Sequence, residues 1–109
     1  WNKEIKDEWL LRGGNWLIGK RVVFENSNSE CLRCHTIEGK GGIAGPPLDG
    51  VANRLDEDQL LAALLYPNEV IADGFGDYSA MPPMGVLLSK REIRDVIAYL
   101  KTLKNQDLP

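Results

Sequence analysis

The apolar pattern is clearest near the end of the chain. Ile93, Val96, Ile97, Leu100 and Leu103 recur at three- and four-residue steps, which marks one buried face of a helix. Ser89 and Glu92 open it as an S-x-x-E capping box, satisfying two amides of the first turn. Lys101 and Lys104 fall where the negative end of the helix dipole favours cations. A second helix is predicted over 57–66, with Leu60, Leu61, Leu64 and Leu65 as its apolar face and Pro67 as its stop. Asp56 and Gln59 form its cap. A third is predicted from the N-cap Asn15 to about Glu25. Its apolar face is Ile18 and Val22, joined by Leu17 and Val23. Gly19 lies inside it, at a cost of ~1 kcal/mol against alanine, so close packing is the expected reason for it. Trp1, Ile5 and Trp9 share a face of a further segment that Gly13-Gly14 ends. Residues 1–16 therefore read as a linker helix that packs its tryptophans on the domain.

The intervening stretches are punctuated differently. Asn26-Ser27-Asn28-Ser29 is polar turn chemistry. Residues 36–48 are rich in glycine and hold Pro46-Pro47, which excludes a helix or a central strand and predicts a loop. Met81 precedes Pro82-Pro83, so its backbone is pushed to extended geometry. The tail after Lys104 is expected to fray.

Between turn and loop stands Cys31-Leu32-Arg33-Cys34-His35, a C-x-x-C-H sequence. This is the attachment pattern for a c-type haem. Two thiols one helical turn apart suit the two vinyl groups on one porphyrin edge, and the next residue can bring an imidazole under the iron. A redox Cys-x-x-Cys would want a βαβ context, and a zinc site would want further Cys or His. The chain has two cysteines and one histidine in all, so haem is the favoured reading. The loop at 36–48 would then wrap the proximal side and offer a backbone carbonyl to His35 Nδ1–H.

Length and charge narrow the setting. At 109 residues the chain is one domain. It is small for a self-sufficient core, so a buried apolar cofactor would help it. A net charge of −3 gives no reason to expect a nucleic acid or an anionic membrane as partner, and there is no twenty-residue apolar run. Haem c attachment points to the bacterial periplasm. The chain opens on Trp1 and shows no export signal. The expectation is a mature or truncated piece, one domain of a longer polypeptide.

Taken in order, these elements resemble a class I cytochrome c domain over residues 17–104, an all-α fold of four to five helices around one covalently bound haem. Gly19-Lys20-Arg21 resembles the opening of the family's N-terminal helix. Ala98-Tyr99-Leu100 resembles the C-terminal helix, which by that resemblance crosses the first helix near Gly19. Gly45-Pro46-x-Leu48 resembles the proximal-loop motif, which assigns the carbonyl that accepts the histidine hydrogen bond to Pro46. Met81-Pro82 resembles the distal-ligand loop. The resemblance also makes Arg54, Tyr66 and Asn68 candidates to hydrogen-bond the haem propionates; for Arg54, a solvated surface charge is the plain alternative. A narrower similarity, carried by Cys34-His35, Gly41-Gly42, Gly45-Pro46, Tyr66-Pro67-Asn68, Ile71-Ala72 and Gly74-Phe75, is to haem domains fused to large periplasmic dehydrogenases. Val23 departs from it where an aromatic is usual, and the segment from Phe75 to Met81 is short.

Two methionines share one loop, and Met81 is the preferred iron ligand. By resemblance, its eighteen-residue spacing to Tyr99 suits a ligating methionine, and Pro82 restricts its backbone. Met84 precedes the permissive Gly85 and suits apolar packing. Lys90 and Lys101 are remaining alternatives as ligands. The expected function is one-electron transfer, not catalysis, in the accepting domain of a periplasmic dehydrogenase. The partners would be a donor dehydrogenase domain and an acceptor cytochrome or oxidase. Arg33 and Lys40 would lie near the haem edge, where they could steer an acidic partner. A free-standing periplasmic shuttle is the alternative reading. A gas-binding or sensing domain is the third, and it would lack a distal histidine, since His35 is the only one.

Overall fold

The structure, a computed structural model, describes residues 9–69, 74, 76, 79 and 81–104. Trp1 and Ile5 of the predicted leading helix, the Ile71-Ala72 and Phe75 positions, and the tail 105–109 lie outside the described residues.

Among the described residues, three helices of more than two turns carry the core. α1 spans Trp16–Glu25, and its N-cap Asn15 accepts amide hydrogen bonds from Leu17 and Ile18 through its side chain. α2 is the single turn Cys31–Cys34. A two-residue hairpin, β1 (Thr36–Ile37) and antiparallel β2 (Lys40–Gly41), follows it. Positive φ at both Glu38 (53°) and Gly39 (79°) is the backbone of a type I′ turn, which matches the twist of paired strands. α3 is the short turn Val51–Arg54, and α4 runs Glu57–Leu65. Pro67–Glu69 then forms a 3₁₀ turn. α5, Met84–Leu87, is again one turn, and α6 covers Lys90–Leu100.

Both predicted capping boxes are formed, Asp56 with Gln59 and Ser89 with Glu92. α6 ends one residue before Lys101, which is its C-cap. Leu60, Leu61, Leu64 and Leu65 are buried, as are Ile93, Val96, Ile97, Tyr99 and Leu100. α1 departs from its predicted face. Val22 and Val23 are buried with Gly19, whereas Leu17 and Ile18 are about half exposed. The reason lies in Gly19 itself: α6 comes so near that the buried line of α1 must run through the glycine.

That crossing joins the two ends of the domain. A methyl group on Gly19 would stand 1.9 Å from the Asp95 carbonyl oxygen and 3.0 Å from Tyr99 Cβ, so the helices meet backbone to backbone. One turn earlier the Asn15 amide donates to Asp95 Oδ1 at 2.8 Å. Asp95 is buried, and its carboxylate lies beside the N-terminus of α1, where the helix dipole favours negative charge.

The segment before α1 docks beside this crossing. Among the described residues, Leu10, not Trp9, is the one it buries completely. Trp9 is 42% exposed, with the Arg94 guanidinium 4.3 Å from its ring centroid. Arg94 Nε also donates to the Arg12 carbonyl. Glu57 accepts from Arg12 at 3.0 Å and from Lys101 at 2.9 Å. These bonds, that from Lys101 foremost, hold the Glu57 carboxyl below the ordinary carboxylate range.

Two outcomes follow from these contacts. Gly19→Ala gains ~1 kcal/mol of helix propensity but drives a methyl into a carbonyl, and overpacking of that kind costs ~1–3 kcal/mol. A net loss of stability is expected, read as a lower urea midpoint by tryptophan fluorescence. Because the folded Glu57 pKa is depressed, its contribution is present above the unfolded value of about 4.3 and is lost as pH falls through the folded one. The ion pairs are surface-exposed, so that contribution is under ~1 kcal/mol. Glu57→Gln should have a lower urea midpoint than the wild type at pH 7, and the two midpoints should converge in acid.

Candidate functional site

The C-x-x-C-H segment is held by a scaffold of short hydrogen bonds on both sides. Upstream, Asn26 Oδ1 accepts from the amides of Asn28 (2.8 Å) and Ser29 (3.0 Å), folding the polar turn. Asn26 Nδ2 donates to Glu92 Oε2 at 3.2 Å, while Glu92 Oε1 accepts from the Ser89 amide at 2.8 Å. One carboxylate therefore closes the cap of α6 and anchors the turn that leads to Cys31. The chain then passes through left-handed geometry at Glu30 (φ 46°) to start α2.

α2 puts Cys31 and Cys34 at the two ends of one turn, both partly buried. Burial pushes the Cys31 thiol pKa up, against a weak opposing contact with Ser29, whose hydroxyl lies 3.7 Å from Sγ. His35 ends the turn with extended backbone (φ −112°, ψ 150°), which carries its ring away from the helix axis.

Downstream, the glycine-rich loop lies directly on that turn. The Gly42 amide donates to Leu32 O at 2.9 Å, Gly45 to Cys34 O at 2.7 Å, and Leu48 to Thr36 O at 2.9 Å. Thr36 Oγ1 donates to Gly42 O at 2.7 Å. Backbone meets backbone here, and the glycines are what let it do so. A methyl on Gly42 would sit 2.2 Å from Arg33 O, and one on Gly45 would sit 2.6 Å from His35 Cε1. Gly45 thus presses on the face of the imidazole. His35 Nδ1 lies 2.7 Å from the Pro46 carbonyl oxygen. A carbonyl can only accept, so Nδ1 carries the proton and Nε2 is left with its lone pair for a metal.

The loop is braced from outside. Arg54 Nη2 donates to Pro47 O at 2.6 Å and Nη1 to Asp49 O at 2.9 Å. The Asp49 carboxylate accepts from the Glu38 amide at 3.1 Å, closing the hairpin turn. Tyr99 on α6 is buried; that burial, followed by the nearby charges of Glu38 and Asp49, raises its phenol pKa.

A second loop carries the two methionines. Met81 is partly buried and packs on the apolar core, whereas Met84, the first residue of α5, is 2% exposed within it. Asn68 Oδ1 accepts the Ser79 amide at 2.6 Å, so its acceptor oxygen is turned to the chain. Tyr66, the C-cap of α4, packs against the core. Arg33 is exposed and 3.6 Å from Glu30.

These side chains suit a haem c as a donor set. Two thiols stand on one turn, an imidazole has its outer nitrogen already committed, and a soft thioether lies against apolar surroundings. Of the residues singled out from sequence, Arg54 and Asn68 engage backbone groups of this chain. The bracing roles of Asn26, Thr36, Asp49 and Ser79 had no motif to announce them. Asn26, which can fold an Asx turn, came nearest to a signal.

Residues 18–104 match the family described as cytochrome c. No curated protein sequence matches the chain significantly. Among solved structures, a chain of the crystal structure of SoxXA from P. pantotrophus is similar. Its TM-score is 0.64 at 28% identity, with 84% of this chain and 83% of that one covered.

The Gly45 contact generates a direct expectation. Gly45→Ala should displace the His35 ring and break its bond to Pro46. The yield of protein carrying covalent haem should fall several-fold against the wild type, scored by haem-stained gel at equal expression.

Proposed function

The chain belongs to the cytochrome c family, and on that premise we propose that its haem is bound through Cys31 and Cys34, with His35 as proximal and Met81 as distal ligand. Members of the family carry a covalently bound haem c, and the function of this domain is haem-based electron transfer with redox partners. When bound, the haem supplies a single reversible electron through its iron.

The residues of the chain do the rest. Cys31 and Cys34 supply the thiols. His35 is oriented by Pro46 and Gly45, and the bond at Nδ1 raises the basicity of Nε2. The observation that carries the reading is this pre-set imidazole beside a two-thiol turn. With His35 and Met81 both holding the iron, a bound haem would have no position open to a substrate, which supports electron transfer as the role of the domain. A thioether favours the reduced metal, and an apolar surround disfavours added positive charge; both raise the potential. Arg54 and Asn68, whose hydrogen bonds go to this chain, act at the propionates only through their remaining donors. Tyr66 keeps its assignment there.

The setting we favour is the electron-accepting domain of a larger periplasmic dehydrogenase. The support is the docking of the segment before α1, by Leu10, by Arg94 over Trp9 and by Arg12 on Glu57, which makes that segment a packed lead-in to the haem domain. No helix among the described residues is long and apolar enough to cross a membrane. The encoded full-length chain tests this setting against that of a free shuttle.

Paired substitution tests the distal ligand. Met81→Ala should abolish the weak far-red ferric absorption of the iron–thioether bond and let carbon monoxide bind the ferrous protein. Met84→Ala should keep that absorption and instead cost ~2–4 kcal/mol of stability through the cavity it leaves. The reverse pattern overturns the assignment.

A further inference from the structure

We propose that Ser79 and Asn68 are positioning residues that hold the Met81 backbone in place for its thioether to reach the iron; the inference rests on Met81 being the distal ligand. Met81 is followed by Pro82 and Pro83, neither of which has an amide proton. Nothing immediately downstream can therefore tether the methionine through a backbone N–H. Upstream, one side chain does so twice. Ser79 Oγ accepts the Met81 amide at 3.1 Å and faces the Met81 carbonyl oxygen at 3.4 Å. Among the described residues, both hydrogen bonds to the Met81 backbone come from this hydroxyl.

Ser79 is itself held. Its amide donates to Asn68 Oδ1 at 2.6 Å, across eleven residues of sequence. Asn68 is well placed to serve as the fixed end. It lies in the 3₁₀ turn that follows α4, directly after the buried Pro67, and α4 contributes four buried leucines to the core. The relay therefore runs from a packed helix end, through Asn68 and Ser79, to the backbone of the ligand.

The physical effect is on the fraction of time the thioether is bound. A neutral thioether is a weak ligand, and its occupancy depends on how much backbone freedom it loses on binding. Pro82 removes part of that freedom by restricting Met81 to extended geometry. The Ser79 hydroxyl removes more by fixing where the extended segment sits. A net hydrogen bond of ordinary strength corresponds to about a fivefold change in the bound-to-free ratio.

The test uses the ferrous haem-loaded protein with carbon monoxide as probe, whose binding rate follows the fraction of methionine-off protein. Ser79→Ala and Asn68→Ala should each raise that rate about fivefold. Ser79→Thr, which keeps the hydroxyl, should stay near the wild type. Urea midpoints followed by circular dichroism separate a local release from general loosening. A rate in Ser79→Ala equal to the wild type, with Met81→Ala still opening the iron, overturns the relay and leaves the ligand assignment standing. An increase in Ser79→Thr as large as in Ser79→Ala also overturns it, because any change in the loop would then suffice. If Met81→Ala keeps the far-red absorption, the ligand assignment fails and the relay falls with it.

Discussion

The fold depends on α1 and α6 meeting without side chains between them. At Gly19 the two backbones are so close that even a methyl would collide with the Asp95 carbonyl. The contact ties the start of the domain to its end, and the Asn15–Asp95 hydrogen bond fixes the helices along their axes as well as across them. Everything with chemical potential lies in the chain between those two points. The glycine loop, α4 and the methionine loop are therefore all excursions from one clamp.

The two sides of the site are built on different principles. On the histidine side, the loop is laid on the C-x-x-C-H turn through backbone hydrogen bonds at Gly42, Gly45 and Leu48, and the imidazole is pinned by a carbonyl and by the bare face of a glycine. Few rotatable side chains take part, so little entropy is lost in holding the ring. On the methionine side, the described restraints are a hydroxyl, a carboxamide and the proline rings that follow. The histidine side is thus set by main-chain shape, and the methionine side by side-chain identity.

The parts of this arrangement legible in the sequence were those with a local signature. The two capping boxes, the leucine face of α4 and the long apolar face of α6 each declare themselves within a turn or two. Gly19 could be flagged as a close approach because a mid-helix glycine needs a reason. The outward position of Leu17 and Ile18 could not be read, because periodicity gives a face but not the direction in which the partner lies. The single turns α3 and α5 are too short to show any period. The two-residue hairpin hid within a loop correctly excluded from central strands, with Glu38 in a conformation more often taken by asparagine or glycine. Arg54 and Asn68 were marked by resemblance as partners of the haem propionates, and the structure shows that they also hold carbonyl and amide groups of their own chain. Such partners are set by tertiary distance, which no local pattern encodes.

The hydrogen bond between Asn15 and Asp95 spans eighty residues of sequence, and this bears on how fast the domain can assemble. Closing a loop of that length exacts an entropic cost that rises as the logarithm of the length, and it falls due before the α1–α6 surface begins to compensate. α4 and α6 can form early on their own caps, but the clamp needs the two ends to find each other through diffusion of nearly the whole chain. Pairings of such high sequence separation raise the contact order and slow folding. The region around Cys31 and His35 then remains accessible, on a still-open chain, until that meeting occurs.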